Sequence, residues 1–372
     1  MVANIENVTV KMNIQFEPHK NYISHFETFF KAYELIDVVF QGDKRFSKKS
    51  FQPTSERVCF FCNKRFGETT FKSEAHIFPQ LMGNRNLISD MECDACNQKF
   101  SRFENDLSNY LGVSRTFSGI NGDRKPPGFF AEGLNAKSRI FLGNNFIITS
   151  INELKELNHG TFSLSYSKNL YSPSAVYKAL IKAAIIIIGK SEIKKEHWPL
   201  IYYLNNKIDI FSGALIYDYH FSFTINLPFI VYVFKAIQPY SCVFNYIVGV
   251  SFYNRMIYIP ILNLQQQKKV SFEAITPPPI KPNVLEVEWN DVALKTIDLS
   301  SNSPTKEVED VVFQFDKNVI NGMLDKYDPE TEIYSKGRFI PTEIEKIIIT
   351  KGGFQCDPKE LSLFIKETFK KE

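Results

Sequence analysis

Six cysteines stand out among the residues that could do chemistry, and four of them form two C-x-x-C pairs with 30 residues between the pairs: Cys59, Cys62, Cys93 and Cys96. Two residues between thiolates let one tight turn direct both sulfurs to the same ion. Two such turns complete a tetrahedron, so the pattern predicts a structural zinc site. A redox dithiol or a pair of disulfides is the alternative. A closed four-sulfur site leaves no position for water, and we therefore expect this zinc to hold the fold without doing chemistry. The other two stand alone and are predicted to be incidental: Cys242 and Cys356.

Three polar side chains accompany the cysteine pairs. His76 lies in the segment Glu74–Pro79, Asn86 precedes Leu87, and Asn97 directly follows the second pair. A histidine on a strand, a loop asparagine and an asparagine at a helix start, held together by zinc, supply a base, a group that orients it and a metal ligand.

The motifs C-F-F-C, A-H-I-F-P, N-L and C-D-A-C-N follow one another within residues 57–112. In this order they resemble the HNH endonucleases, which are ββα-metal nucleases with zinc knuckles. The resemblance implies that His76 is the general base, that Asn86 orients it, and that Asn97 binds a catalytic Mg²⁺ or Mn²⁺ ion. It also implies hydrolysis of DNA phosphodiester bonds to 5′-phosphate and 3′-hydroxyl ends.

One position departs from that family. Many members carry Asp before the catalytic histidine as a second metal ligand, and this chain has Ala75. Glu74 and Glu104 are the candidate substitutes, and an exposed or salt-bridged glutamate is the alternative for each. The alternative role for Asn97 is to cap a helix, and the alternative for Asn86 is a turn residue.

Basic residues surround the cysteine pairs. Residues 41–72 carry eight basic and three acidic side chains, a local net charge of +5, whereas the whole chain has a net charge of +3. Global charge therefore indicates no nucleic-acid binder, and only a local surface can do so. The predicted contacts to nucleic acid are Lys64, Arg65, Lys72, Arg85, Lys99 and Arg102, with a solvated basic loop as the alternative.

The N-terminal third must position these groups. We expect an extension over residues 1–54 with one helix between Asn21 and Asp37, and the zinc module over residues 55–115. Within the module, apolar residues at helical spacing predict a helix over Asp94–Leu111. Residues 113–140 are rich in glycine and proline, which favours a connector.

The remaining region, residues 130–372, carries no motif typical of catalysis. Ser172 and Pro173 predict the start of an apolar core helix that ends at Ile188, before Gly189. Alternating apolar residues between Ile208 and Leu262 predict four or five strands. We expect a connector over 264–305 and mostly helical structure over 306–372.

The predicted fold class is α+β: a zinc-stapled ββα-metal module followed by a mixed domain with an apolar helix and an antiparallel sheet. Hydrophobic residues make up 44% and charged residues 23%, which excludes a disordered or fibrous chain. The N-terminus has no secretory pattern and no apolar run is long enough to span a bilayer, so we expect a cytoplasmic protein without membrane contact.

Two classes of function remain open. The first is an HNH endonuclease acting on DNA, regulated by residues 130–372 in the manner of bacterial anti-phage effectors. That region could position DNA, sense a nucleotide signal or dock a defence partner protein, and the protein could form a homo-oligomer. The second is a non-catalytic, zinc-stabilised module that binds nucleic acid. His76 together with Asn97 favours the enzyme, because a pure binder needs neither.

Overall fold

The structure, a computed structural model, describes the following residues: 2–4, 13–117, 129–132, 134–141, 144–151, 155–158, 161–189, 198–206, 214–221, 227–238, 244–262, 275–282, 292–314, 323–328, 333–338 and 346–350. Cys242, Cys356 and the Pro126–Gly128 stretch lie outside them. The chain divides into two compact units. The first comprises Met1–Leu111 and Leu170–Thr305, and the second comprises Gly112–Asn169 and Lys306–Glu372.

The helices are α1 (Ile23–Ala32), α2 (Asp94–Leu111), α3 (Ser114–Phe117), α4 (Pro173–Ile188) and α5 (Trp198–Asn205). The strands are β1 (Val2–Asn4), β2 (Asn13–Pro18), β3 (Tyr33–Phe40), β4 (Ala75–His76), β5 (Ile88–Ser89), β6 (Phe129–Ala131), β7 (Leu134–Phe141), β8 (Asn144–Ile151), β9 (Lys155–Asn158), β10 (Thr161–Ser167), β11 (Leu215–Phe221), β12 (Leu227–Ala236), β13 (Phe244–Tyr253), β14 (Arg255–Leu262), β15 (Ile280–Pro282), β16 (Val292–Asp298), β17 (Val308–Gln314), β18 (Met323–Asp328), β19 (Ile333–Arg338) and β20 (Lys346–Thr350). This mixture of helices and antiparallel sheets confirms the α+β class.

A six-stranded antiparallel sheet forms the core of the first unit, with strand order β16-β11-β14-β13-β12-β3. Its strands β11 to β14 confirm the predicted four or five strands. Every residue of β13 is buried, because the sheet is covered on both faces. One face packs with α1 around aromatic side chains that include Phe29, Tyr33 and Tyr258.

The apolar helix α4 begins and ends where the sequence predicts. Pro173 occupies its first turn, Gly189 follows it with a left-handed φ of 87°, and all its residues are buried. Ser172 stands at the N-cap position, but its side chain makes no capping hydrogen bond. Instead its backbone N–H donates to Asp106 of α2 at 2.7 Å, which ties the start of α4 to the zinc module.

Two expectations about the ends of the first unit were wrong. The N-terminal helix stops at Ala32, and the chain continues as strand β3, because Tyr33–Phe40 pairs with β12. The interval 264–305 is not simply a connector, since β16 lies within it and pairs with β11 over seven residues, from Val292 to Asp298.

In the described part of the second unit, strands occupy most of the intervals where helices and a connector were expected, and α3 is the short helix among them. Residues 306–350 contain β17 to β20, and the 113–140 interval contains β6 and β7. In β17 the burial alternates: Val311 is buried, whereas Val308 and Val312 are exposed. A period of two is that of a strand, and β17 pairs with β10 along its whole length. Residues 351–372 lie outside the described part.

The zinc module itself is small. The two-residue strands β4 and β5 pair with each other, and the 18-residue helix α2 follows with the predicted bounds. Phe100, Leu107, Tyr110 and Leu111 are buried on one side of α2, as its spacing predicts. Within the described residues, none of the helices combines the length and apolar character that a bilayer crossing needs.

Candidate functional site

The first cysteine pair sits on a tight turn. Cys59 N–H donates to the Lys64 carbonyl at 2.9 Å, and Asn63 N–H donates to the Cys59 carbonyl at 2.8 Å. Asn63 adopts a left-handed φ of 59°, which asparagine tolerates better than most residues. The second pair lies at the start of α2, where Asn97 N–H donates to the Cys93 carbonyl at 2.9 Å. Both backbones therefore direct their sulfurs inward.

The four sulfurs meet in one cluster. Their Sγ atoms all lie within 4.8 Å of one another, and the Cys62–Cys93 sulfur separation is 3.7 Å. Tetrahedral zinc with Zn–S bonds of about 2.3 Å requires sulfur separations of about 3.8 Å. The cluster therefore matches a structural zinc site, as the spacing predicts. Three of the sulfurs belong to buried residues, Cys59, Cys93 and Cys96, and Cys62 is half-buried.

The thiols of this cluster cannot all ionise by themselves. A hydrogen bond from Cys96 lowers the pKa of Cys59 to about 4, against the opposing effect of burial. The pKa of Cys96 is raised far above its ordinary value by the same contact, because the neighbouring thiolate repels a second charge. Burial raises the pKa of Cys62 to about 11. A divalent cation removes this repulsion, which fits the donor set to zinc.

His76 lies on β4, with buried neighbours on both sides. Ala75 and Ile77 point into the core, and His76 is half-buried on the opposite face and pairs with Ile88. The side-chain amide nitrogen of Gln80 lies 3.0 Å from the imidazole Nε2. An amide nitrogen can only donate, so Nε2 accepts and carries the lone pair. The lone pair on Nε2 is thus hydrogen-bonded to Gln80.

Asn86 occupies an exposed turn, and the hydrogen bond that the structure describes for it comes from its backbone. Its backbone N–H, like that of Arg85, donates to Gln41 Oε1 at 3.3 Å. The Gln41 amide in turn donates to the Gly83 carbonyl at 2.9 Å. The buried Asn84 holds the same turn from inside, donating to Phe78 and Leu87 carbonyls at 2.7 and 2.8 Å. Asn84 and Gln41 therefore shape the loop that carries Asn86.

Asp94, which the sequence argument did not single out, joins the segment before β4 to α2. Its carboxylate accepts hydrogen bonds from the Thr70 hydroxyl and from the backbone N–H groups of Lys72 and Ser73. Burial raises the pKa of Asp94, but these donors outweigh it and lower the pKa to about 2. Its place in the first turn of a helix, where acidic residues are favoured, is the signal that could have found it.

Asn97 is half-buried in the first turn of α2, and the two candidate glutamates have other partners. Glu74 is exposed and forms an ion pair with Lys48, and Glu104 lies 3.7 Å from the Nζ of Lys182. In the described part of the chain, the four cysteines are the only cluster of three or more His, Cys, Asp or Glu side chains placed to hold an ion. Asn97 could offer its amide oxygen to a metal ion, but among the described residues no cluster of carboxylates lies beside it.

Most of the predicted nucleic-acid contacts lie on the surface. The exposed ones are Lys64, Arg65, Lys72, Arg85 and Arg102. Lys99 differs, because its Nζ donates to the backbone and side-chain oxygens of Asn205 at the end of α5. Burial lowers the pKa of Lys99. Lys99 is therefore a link between α2 and α5 in this structure.

The far end of α2 is anchored on the six-stranded sheet by a buried cluster. The Tyr110 hydroxyl donates to Asp218 Oδ2 at 2.6 Å, and Arg255 and His220 lie 3.1 Å from the same oxygen. Burial alone raises the pKa of Asp218, but the charges of His220 and Arg255 and these hydrogen bonds hold it well below its usual range. Asp218 therefore stays ionised and joins α2, β11 and β14.

Comparison with known proteins identifies the domain that contains this site. A family model described as HNH endonuclease matches residues 59–111. That range includes both cysteine pairs, the β4–β5 hairpin and α2. The resemblance indicated by the motifs is thus confirmed for this domain, which supports a nuclease activity and a nucleic-acid substrate. No curated protein and no solved structure matched the chain.

Proposed function

We propose that this protein is a metal-dependent endonuclease that hydrolyses phosphodiester bonds of DNA, with His76 as the general base. The observation that carries the proposal is the position of His76: it lies half-buried on the outward face of β4, inside the domain that matches the HNH endonuclease family. A neutral imidazole has a pKa suited to removing a proton from water near neutral pH.

The side chains have separate tasks in this scheme. Gln80 withdraws from Nε2 of His76 and is replaced by water, which the imidazole deprotonates for in-line attack on phosphorus. The turn shaped by Gln41 and Asn84 holds Asn86 beside the hairpin. Asn97 would bind Mg²⁺ or Mn²⁺ through its amide oxygen, and that ion would neutralise charge developing on the phosphate. The exposed basic residues around the cysteine pairs contact the phosphate backbone.

A zinc-stabilised binding module without catalysis is the second candidate. Three contacts favour it: Gln80 on the His76 imidazole, and the ion pairs that hold Glu74 and Glu104 away from a second metal. Catalysis by His76 requires the Gln80–His76 contact to break. Nucleic-acid binding without catalysis requires none of the three contacts to change.

A plasmid-nicking assay with Mg²⁺ or Mn²⁺ separates the two candidates. We expect the wild-type chain to nick and linearise plasmid, and His76→Ala to lose at least 100-fold, within the range of about 10²–10⁴ that general-base catalysis contributes. His25→Ala is the matched control, because His25 is exposed on α1. Equal cleavage by His76→Ala and wild type, or none by either, excludes the proposal.

Chelation tests the two metals separately. Mild EDTA should stop cleavage while the chain keeps one zinc, because four thiolates bind zinc far more tightly than one amide binds Mg²⁺. Cleavage should return on adding Mg²⁺. Retention of full activity in EDTA contradicts the requirement for a second ion.

We also propose that residues 130–372 regulate this nuclease, and that the protein acts in anti-phage defence, either by sensing a nucleotide signal or by docking a partner protein. The resemblance to defence effectors supports this, as does a second compact unit with sheets of its own. Phage plating on cells with wild type or His76→Ala tests the defence role. Plasmid cleavage by the full chain, with and without cyclic oligonucleotides, tests the signal.

A further inference from the structure

Helix α4 carries two buried lysines, although almost all of its other side chains are apolar. Lys178 is 5% exposed and Lys182 is 1% exposed, and they lie one helical turn apart. Burying an ammonium group costs several kcal/mol unless partners compensate it. The two lysines therefore need specific partners, and they have different ones. Lys178 donates to the Asn206 carbonyl, beyond the end of α5, at 2.8 Å.

Lys182 contacts three segments of the HNH domain at once. Its Nζ donates to the main-chain carbonyl of His76 at 3.2 Å. It also lies 3.1 Å from a carboxylate oxygen of Glu92, which precedes α2, and 3.7 Å from one of Glu104 within α2. One side chain thus joins the strand that carries His76 to the helix that carries Asn97.

The surroundings of Lys182 fix its position. The side chain of Glu92 is fully buried and that of Glu104 is 25% exposed, so both attractions act with little water between the charges. The Phe100 ring covers the ammonium group at 5.9 Å. A lysine so enclosed cannot exchange its partners for solvent, and the His76 carbonyl stays at a fixed place against α2.

We propose that Lys182 is a positioning residue of the nuclease: it sets the place of His76 relative to Asn97 from a helix about 70 residues beyond the HNH domain, and this inference rests on the proposed function. Lys182 does not contact the reacting atoms. It acts through the strand, and a displacement of His76 by about 1 Å lowers the chemical rate by about 100-fold while substrate binding at the basic surface persists.

The test compares Lys182→Met with Lys178→Met in the full chain. Methionine matches the length of lysine and removes the charge and the donor, and Lys178→Met removes the neighbouring buried lysine of the same helix. Because Lys182→Met leaves Glu92 buried without a counter-charge, a second variant combines it with Glu92→Gln. Zinc content and circular dichroism establish that each variant folds.

We expect the combined variant to cleave plasmid with kcat reduced about 100-fold and KM changed less than threefold. Lys178→Met should stay within threefold of wild type in both constants. In hydrogen exchange, amides of residues 74–78 should exchange at least tenfold faster in the combined variant only. A folded combined variant with wild-type kcat, or with unchanged exchange at 74–78, overturns the proposal.

Failure of the nuclease proposal gives a different result. If the wild-type chain does not cleave, or if His76→Ala cleaves like wild type, the proposed function is excluded. The kcat values then say nothing about the role of Lys182. The exchange comparison still decides the inference, because faster exchange at 74–78 requires only that Lys182 fixes the strand.

Discussion

Replacing Asp218 with Asn tests whether the buried cluster beneath α2 is structurally essential. Asp218 is fully buried and its Oδ2 is shared by Tyr110, Arg255 and His220. Asparagine keeps the shape of the side chain but removes its charge. Arg255, which is 1% exposed, then keeps a permanent charge in the core without the Asp218 carboxylate that lies 3.1 Å from its guanidinium.

The magnitude follows from the loss of that carboxylate. Removing one partner of a buried ion pair costs about 3–5 kcal/mol of unfolding free energy. Tyr110→Phe removes only one hydrogen bond to a charged group and should cost about 1.5–3 kcal/mol. Adding Arg255→Met to Asp218→Asn also removes the charge that Asp218 had faced, and we expect the double variant to be more stable than Asp218→Asn alone.

Urea unfolding followed by tryptophan fluorescence and circular dichroism measures these differences at constant pH. We expect the order wild type, Tyr110→Phe, double variant, Asp218→Asn from most to least stable, with Asp218→Asn lowered in Tm by about 6–20 °C. A loss below about 1 kcal/mol for Asp218→Asn, the value of an exposed pair, would refute the view that Arg255 depends on it. So would a double variant no more stable than the single one.

Three further perturbations probe the zinc cluster, the turn at Gly83 and the half-buried carboxyl of Glu104. Cys59→Ser should bind less than one zinc per chain by mass spectrometry of metals and should lose α2 helicity, whereas retention of zinc and structure would reject the ligand assignment. Gly83→Ala should destabilise more than Gly67→Ala: both glycines have positive φ, but a Cβ at Gly83 meets the Tyr253 hydroxyl at 2.9 Å and one at Gly67 meets nothing within 4 Å. An equal decrease in Tm for both variants would show that the contact with Tyr253 does not affect stability. Burial raises the pKa of Glu104 above 4.5, so the folded chain holds its proton longer than the unfolded chain does, and stability falls as pH rises above about 4.5. Glu104→Gln should therefore gain stability relative to wild type as pH rises above about 4.5, and a difference that does not change with pH would contradict the burial effect.

Local spacing accounts for what the sequence predicts well. Two C-x-x-C pairs predict the sulfur cluster, because the ligands of one ion are set within each turn. Helices α2 and α4 have the predicted bounds because their apolar spacing, Pro173 and Gly189 are all local signals. Short-range sequence signals also place His76 on a strand and Asn97 in the first turn of a helix.

Non-local contacts account for what was missed. Lys182 bonds to a carbonyl 106 residues away, and Gln41 holds a turn 45 residues on, so neither has a signal near the site. The only sequence signal for the contact of Lys182 is that a lysine lies within a mostly apolar helix. Strand β17 contains Glu309 and Asp310, which are residue types depleted in strands, but its pairing with β10 decides its conformation.

The strand order of the large sheet has a consequence for synthesis on the ribosome. Strand β3 emerges early, but its sheet partner β12 follows only after α4. The HNH domain likewise leaves the exit tunnel before Lys182, Asp218 and Arg255 exist, and at 5–20 residues per second the wait is on the order of 10 s. A nascent chain therefore lacks the contacts that Lys182 and Asp218 make with the HNH domain and with Tyr110 until these residues have been synthesised.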